Sequence, residues 1–127
     1  LRIAGVPDGA ETLALLVDDP DAPGGRFYHW LLWNVPASVE TIPRSVAKEK
    51  RPPFAEGARQ GTNSAGEVGY TGPCPPTGDG PHTYRFQLSA VETTLDLAGG
   101  ANRGDLEAAL DGQRIDTVTL TGTYERS

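Results

Sequence analysis

The sequence predicts a small, mainly β protein with a single short helix, and three observations carry that reading. Over 116–124, Thr117, Thr119, Thr121 and Thr123 interleave with Val118, Leu120, Gly122 and Tyr124, the period of a strand with one buried face. A second alternation sets Tyr84, Phe86, Leu88 and Ala90 against Arg85, Gln87 and Ser89. Glycine and proline, 16 and 11 of 127 residues, fall between the apolar runs rather than in one block, which is the punctuation of a turn-rich β chain.

The remaining elements follow in chain order. Residues 1–6 read as a fragmentary strand ended by Pro7, a candidate fifth strand. Residues 13–17 and 30–35 are nearly continuous apolar runs stopped by Asp-Pro and Val-Pro, as expected of central strands covered on both faces. Residues 36–82 are rich in proline and glycine without a strong period, and such a stretch in a small domain carries function or short irregular strands. A helix is expected where Asn102 can cap, Asp105 sits in the first turn, and Leu106, Ala109 and Leu110 recur at helical spacing before Asp111 and Gly112 stop it. Too short to stand alone, it is expected to pack across a sheet edge or the end of a sandwich.

A chain of 127 residues fits one domain, 1–127, with one core. It lacks methionine and opens inside an extended segment, so some N-terminal residues are expected to be missing. Any export signal would then be out of view, and a cytoplasmic location is the expectation. No apolar run approaches the roughly 20 residues of a membrane-spanning helix. The formal charge of −6 argues against a nucleic-acid surface, which rests on clustered Lys and Arg. Only Arg44, Lys48, Lys50 and Arg51 crowd together, with Glu49 between them, and as a loop patch they read as solvated surface. The single cysteine, Cys74, leaves no internal disulfide.

The chemistry-bearing residues gather at strand ends. Asp18-Asp19-Pro20-Asp21-Ala22-Pro23 closes the first apolar run, and His29 opens the next after a short loop, so His29 can fold back toward the carboxylates. His82 follows Gly72-Pro73-Cys74-Pro75-Pro76 and precedes Tyr84 by one strand step on the same face. Taken singly, each histidine also fits a satisfied structural role. Trp30, Trp33, Phe86 and Leu88 read as core.

Asp-Pro-Asp-Ala-Pro at 19–23, His-Trp-Leu-Leu-Trp-Asn-Val-Pro at 29–36, Gly-Pro-Cys-Pro-Pro at 72–76 and Gly-Pro-His-Thr-Tyr-Arg-Phe at 80–86 resemble, in order and spacing, the signature of the phosphatidylethanolamine-binding protein family. The match is best to its prokaryotic, Raf-kinase-inhibitor-like (YbhB/YbcL-like) branch and covers essentially the whole chain. The resemblance implies an antiparallel Greek-key β-sandwich with a small end pocket for phosphate, acetate-like anions or phospholipid head groups. It implies a binder without catalytic activity or cofactor, acting in some members as a modulator or inhibitor of a kinase or protease, and often dimeric. Carried over by motif, the pocket residues are Asp19, His29, Gly72, Pro73, Pro75, Pro76, His82 and Tyr84, with Asp21 supporting the loop and Asn63, Gly69 and Tyr70 shaping the opposite rim. The family's eukaryotic members add a C-terminal helix near the pocket, whereas the sequence stops at Ser127 just past the last strand, so regulation through that helix is not expected to carry over.

The same residue set suits an anion on physical grounds. A nearby carboxylate favours the charged imidazole, so Asp19 is expected to hold a histidine protonated. Imidazole N–H groups, a tyrosine hydroxyl and loop amides then converge as donors, with charge-assisted bonds the stronger ones. Prolines 20, 23, 73, 75 and 76 stiffen the loops and lower the ordering cost of binding. The alternatives are a metal site of two histidines and a carboxylate, and a hydrolase using Cys74 with His29 or His82 as base. Against the first stands the absence of a close His-x-Asp pair. Against the second stands a thiol between two prolines in a negatively charged chain, which reads better as structural.

Overall fold

The computed structural model describes residues 3, 5–19, 27–39, 42, 48–52, 54–70 and 82–124, with residues 82–84 and 119–124 described by their backbone. The elements are β1 (Thr12–Asp19), β2 (Phe27–Pro36), β3 (Arg59–Gln60), β4 (His82–Val91), α1 (Arg103–Leu110) and β5 (Arg114–Tyr124). They build a five-stranded sheet in the order β3-β2-β1-β4-β5, with every neighbouring pair antiparallel. The run β4-β1-β2-β3 within it is the strand order of a Greek key.

Both apolar runs become central strands. Every residue of β1 is buried, as are the eight interior residues of β2. One face of the sheet carries Leu13, Leu15, Val17, Trp30, Leu32 and Val35 under a cover that includes Ile3, Ile42, Ala55 and Ala58. The other carries Ala14, Leu16, Leu31 and Trp33, covered by Leu95, Leu106 and Leu110. Among the described residues, every buried side-chain nitrogen or oxygen finds a hydrogen-bond partner, as a water-excluding interior demands.

The helix forms where the cap and spacing place it, over Arg103–Leu110, and the Asn102 side chain accepts from the Asp105 amide at 2.9 Å. Leu106 and Leu110 join the core on the Ala14, Leu16, Leu31 and Trp33 face, where the helix meets β2. Two expectations are corrected. Residues 3, 5 and 6 form no strand; Ile3 serves instead as cover for the core. The fifth strand is β3, two residues inside the stretch read as irregular, and too short to give a period. In β5 the alternation does form a strand, yet Val118 is 54% exposed, so on the described part the apolar phase does not mark a buried face.

Strand β2 carries one residue more than β1 at two places, between the Leu13 and Leu15 pairings and between those of Val17 and Asp18. At the first, Asn34 adopts φ 57°, a left-handed conformation that asparagine tolerates better than most residues. Its side chain replaces a strand neighbour, donating to the Leu95 carbonyl at 2.9 Å and accepting from the Leu95 amide at 2.8 Å. That pair pins the segment leading into α1. Close approach of the same segment explains Gly61, where an added Cβ would collide with the Ala101 carbonyl and the Trp33 ring.

Replacing Asn34 by alanine removes both bonds and keeps the strained backbone, and should cost about 2–4 kcal/mol in urea unfolding. Asn34→Gly loses the same bonds without the strain, so it should unfold at higher urea than Asn34→Ala; equal midpoints would show that the conformation carries no penalty.

Candidate functional site

The predicted site falls where the C-terminal end of β1 meets the starts of β2 and β4. The pairings Val17 with Trp30, Asp18 with Tyr28 and Asp19 with Phe27 leave His29 as the surplus residue of a β-bulge. Tyr28 packs with the helix-covered core and Trp30 with the opposite one. The His29 ring stands 4.8 Å from that of Phe27, tilted by 54°, so it keeps to the side of Phe27, the residue paired with Asp19. Asp19 itself follows in phase with Leu13, Leu15 and Val17. The two are 3% and 6% exposed, and each makes further contacts with its surroundings.

Strand β4 enters from the other side. Its pairing with β1 runs from Thr12 with Val91 to Asp18 with Arg85. Positions 82 and 84 lie just beyond that last pair, in phase with Phe86, Leu88 and Ala90. The backbone therefore brings His82 and Tyr84 to the end of the sheet, and to the face, that holds Asp19 and His29. Gly72, Pro73, Cys74, Pro75, Pro76 and Asp21 lie outside the described residues.

The rim residues divide. Asn63 is buried and closes its own loop, donating to the Gly69 carbonyl at 2.9 Å and accepting from the amides of Ala65 and Glu67 at 2.9 and 3.2 Å. Its role is to shape the backbone that delivers Tyr70. Tyr70 lies at the surface with its ring edge-on to Trp30, centroids 5.6 Å apart, next to His29 in sequence. Partial burial pushes its phenol above the ordinary value.

Four residues that the sequence did not single out hold this arrangement. Gln60 accepts from the Trp30 indole at 2.6 Å and donates to the Glu49 carbonyl at 2.8 Å. Ser64 and Tyr28 exchange bonds, the Tyr28 amide to the Ser64 hydroxyl at 2.8 Å and the Ser64 amide to the Tyr28 carbonyl at 2.9 Å. Arg85 grips Asp18 through two parallel bonds, Nε to Oδ1 at 3.0 Å and Nη2 to Oδ2 at 2.8 Å. Asp18 thereby pushes the Arg85 guanidinium further above its already high value. The sequence signal for this fork was present, an acid and a base on two strands, but it becomes a contact only once the register is known.

A cleft of about 700 Å³ is lined by Tyr28, Thr62, Asn63, Ser64, Asn102, Arg103 and Gly104. Among the described residues, Asn63 is the one predicted site residue that lines it. There Arg103 lies over the Tyr28 ring at 5.2 Å and meets Glu107 at 3.1 Å.

The model of a family described as phosphatidylethanolamine-binding protein matches residues 1–125. The chain is 46% identical over 126 residues to a UPF0098 protein of Pyrococcus abyssi, covering 99% of this chain and 70% of that one. A UPF0098 protein of Pyrococcus horikoshii is 45% identical over 126 residues, 99% of this chain and 63% of its own length. In structure, the chain resembles Escherichia coli YbcL, described as a new member of the mammalian PEBP family, with a TM-score of 0.89, 34% identity and coverage of 99% of this chain and 78% of that one. No helix among the described residues is long and apolar enough to cross a membrane.

If Ser64 holds the start of β2, Ser64→Ala should speed hydrogen exchange at the Tyr28 amide while lowering global stability by only about 0.5–1.5 kcal/mol. Unchanged exchange would mean that the loop contributes nothing to the order of this end.

Proposed function

The chain belongs to the phosphatidylethanolamine-binding protein family, and from that premise we propose that it is a ligand-binding protein rather than an enzyme, with a phosphate-type oxyanion held at the Asp19 and His29 end of the sheet. The anion is free phosphate or the head group of a phospholipid. The single observation that carries the reading is the convergence of a buried carboxylate and a buried imidazole at the sheet end where the backbone also delivers His82 and Tyr84.

Each residue then has a distinct task. His29 and His82 donate N–H groups to the oxyanion, and charge-assisted bonds of this kind are the strong ones. Asp19 orients the imidazole, since the partner of one ring nitrogen fixes which face of the ring is offered by the other. The Tyr84 hydroxyl and the amides around Gly72 and the prolines 73, 75 and 76 complete the donor set, with Asp21 supporting that loop. Tyr70 forms the outer rim, on a loop that Asn63 shapes. Modulation of a kinase or protease, and pairing into a homodimer, belong to this proposal through the family resemblance alone. Nothing among the described residues supports the hydrolase reading.

Titration calorimetry with inorganic phosphate and with phosphoethanolamine tests the reading. Loss of a charge-assisted bond is worth about tenfold or more in affinity, so His29→Ala and His82→Ala should each weaken binding by at least that factor. An affinity unchanged in the double variant would remove the basis of the proposal.

A further inference from the structure

The cleft of about 700 Å³ between residues 62–64 and the start of α1 is walled by donors that the fold leaves unmatched. Ser64 accepts from the Tyr28 amide at 2.8 Å, and its own hydroxyl proton has no acceptor among the described residues. Asn102 uses Oδ1 to cap the Asp105 amide at 2.9 Å, which settles the orientation of its amide group and leaves Nδ2 open. Arg103 lies over the Tyr28 ring, 5.2 Å from its centroid, and gives Nη1 to Glu107 at 3.1 Å. Its Nε and Nη2, the side-on edge of the guanidinium, have no partner among the described residues. Arg85 shows what such an edge takes, since it holds the Asp18 carboxylate through Nε and Nη2 at 3.0 and 2.8 Å. We propose that this cleft is a ligand site of its own, taking a small organic carboxylate whose two oxygens lie on the Nε and Nη2 edge of Arg103, with Ser64 and Asn102 as flanking donors.

Three features make the site usable. Its volume falls in the range of small-molecule sites, roughly 300–1,000 Å³, and exceeds what a bare carboxylate fills, so the ligand carries a body as well as a charge. Contact with the Tyr28 ring restrains the guanidinium before anything binds, which lowers the ordering cost. The pair with Glu107 is weak, both side chains being largely open at 50% and 42% exposure, so an incoming carboxylate competes with it without disturbing the fold. The rival account is a solvated surface on which Arg103 does no more than pair with Glu107. The inference goes beyond the proposed oxyanion end and does not depend on it: a protein indifferent to phosphate can still bind a carboxylate here.

The test titrates benzoate, a rigid planar carboxylate, into the protein while backbone amide shifts are followed by NMR, with melting temperatures recorded for every variant. Saturable shifts are expected at Ser64, Arg103 and Gly104. Arg103→Gln should weaken benzoate about tenfold, the worth of a charge-assisted fork. Arg103→Lys keeps the charge without the planar edge and should still lose about threefold or more. Glu107→Gln removes the competing carboxylate and should tighten binding about 2- to 3-fold, a gain that the rival account does not produce. The His29→Ala, His82→Ala double variant should bind benzoate as the wild type does. Absence of saturable shifts at millimolar benzoate overturns the inference, as does an affinity unchanged in Arg103→Gln or Arg103→Lys, or lowered in Glu107→Gln. Should Arg103→Gln fail to fold, Arg103→Lys and Glu107→Gln decide by the same signs. Binding that is lost in the double histidine variant yet kept in Arg103→Gln assigns benzoate to the oxyanion end, which upholds that reading and discards this one.

Discussion

The phase of β2 against β1 governs what each face of this sheet can hold. With side chains alternating strictly, one surplus residue exchanges the two faces for everything beyond it. Strand β2 takes two such steps. Between them Trp30 and Leu32 face the same core as Val35, although they differ from it in parity; before the second step the odd phase returns and Phe27 pairs with Asp19. His29 sits on the step itself. A β2 without that surplus residue would pair Asp18 with His29 and send the imidazole toward the helix-covered core. The bulge is thus what lets a strand made almost wholly of large apolar residues deliver one imidazole to the end that holds Asp19.

A sheet with such steps needs polar anchors, because each irregularity frees backbone groups that the ladder would have paired. The anchors observed are side chains reaching outward from, or inward to, β2. Asn34 takes both backbone groups of Leu95. Ser64 takes the Tyr28 amide. Gln60 holds the Trp30 indole and a carbonyl of the loop beside it. Each joins the strand to a different covering segment, so the loop 60–70, the segment 92–101 and the helix beyond it are all referenced to the same strand. The geometry of the candidate site is therefore set by β2 and its neighbours in the sheet, with the loops fitted to it.

How far this could be read from sequence depended on whether the signal was local. The strands at 116–124 and 84–90 announced themselves by alternation, the central strands by unbroken apolar runs, and the helix by Asn102 and its Leu106, Ala109 and Leu110 spacing. The strand-end positions of Asp19, His29, His82 and Tyr84 were legible because the motifs flank readable strands. What could not be read is register. Trp30-Leu31-Leu32-Trp33 has no alternation, since both of its faces are buried, and so the bulges at positions 29 and 34 leave no trace in hydropathy. Arg85 looked like the polar phase of an alternating strand and turned out to be half of a fork with Asp18, a contact fixed by the pairing of Val17 with Phe86. Two-residue β3 was below the length at which any period exists. Val118 erred the other way, an apolar phase on a strand whose described part is open to solvent.

Net charge is a weak guide to what such a site prefers. A chain of formal charge −6 repels anions at long range, but beyond roughly 8 Å that field is screened at physiological salt. Inside that distance the outcome is decided by which charges are balanced and by where donors point. Asp18 illustrates the first condition, being held by a guanidinium through two bonds. The second depends on rigid placement, because a donor that must be ordered on binding loses part of its worth to entropy. A buried imidazole on a strand bulge, with a carboxylate beyond the ring it leans on, has already met that cost in folding. Global acidity is thus compatible with the proposed oxyanion site, because the alternation of one strand sends the neighbouring Asp18 and Asp19 to opposite faces of the sheet.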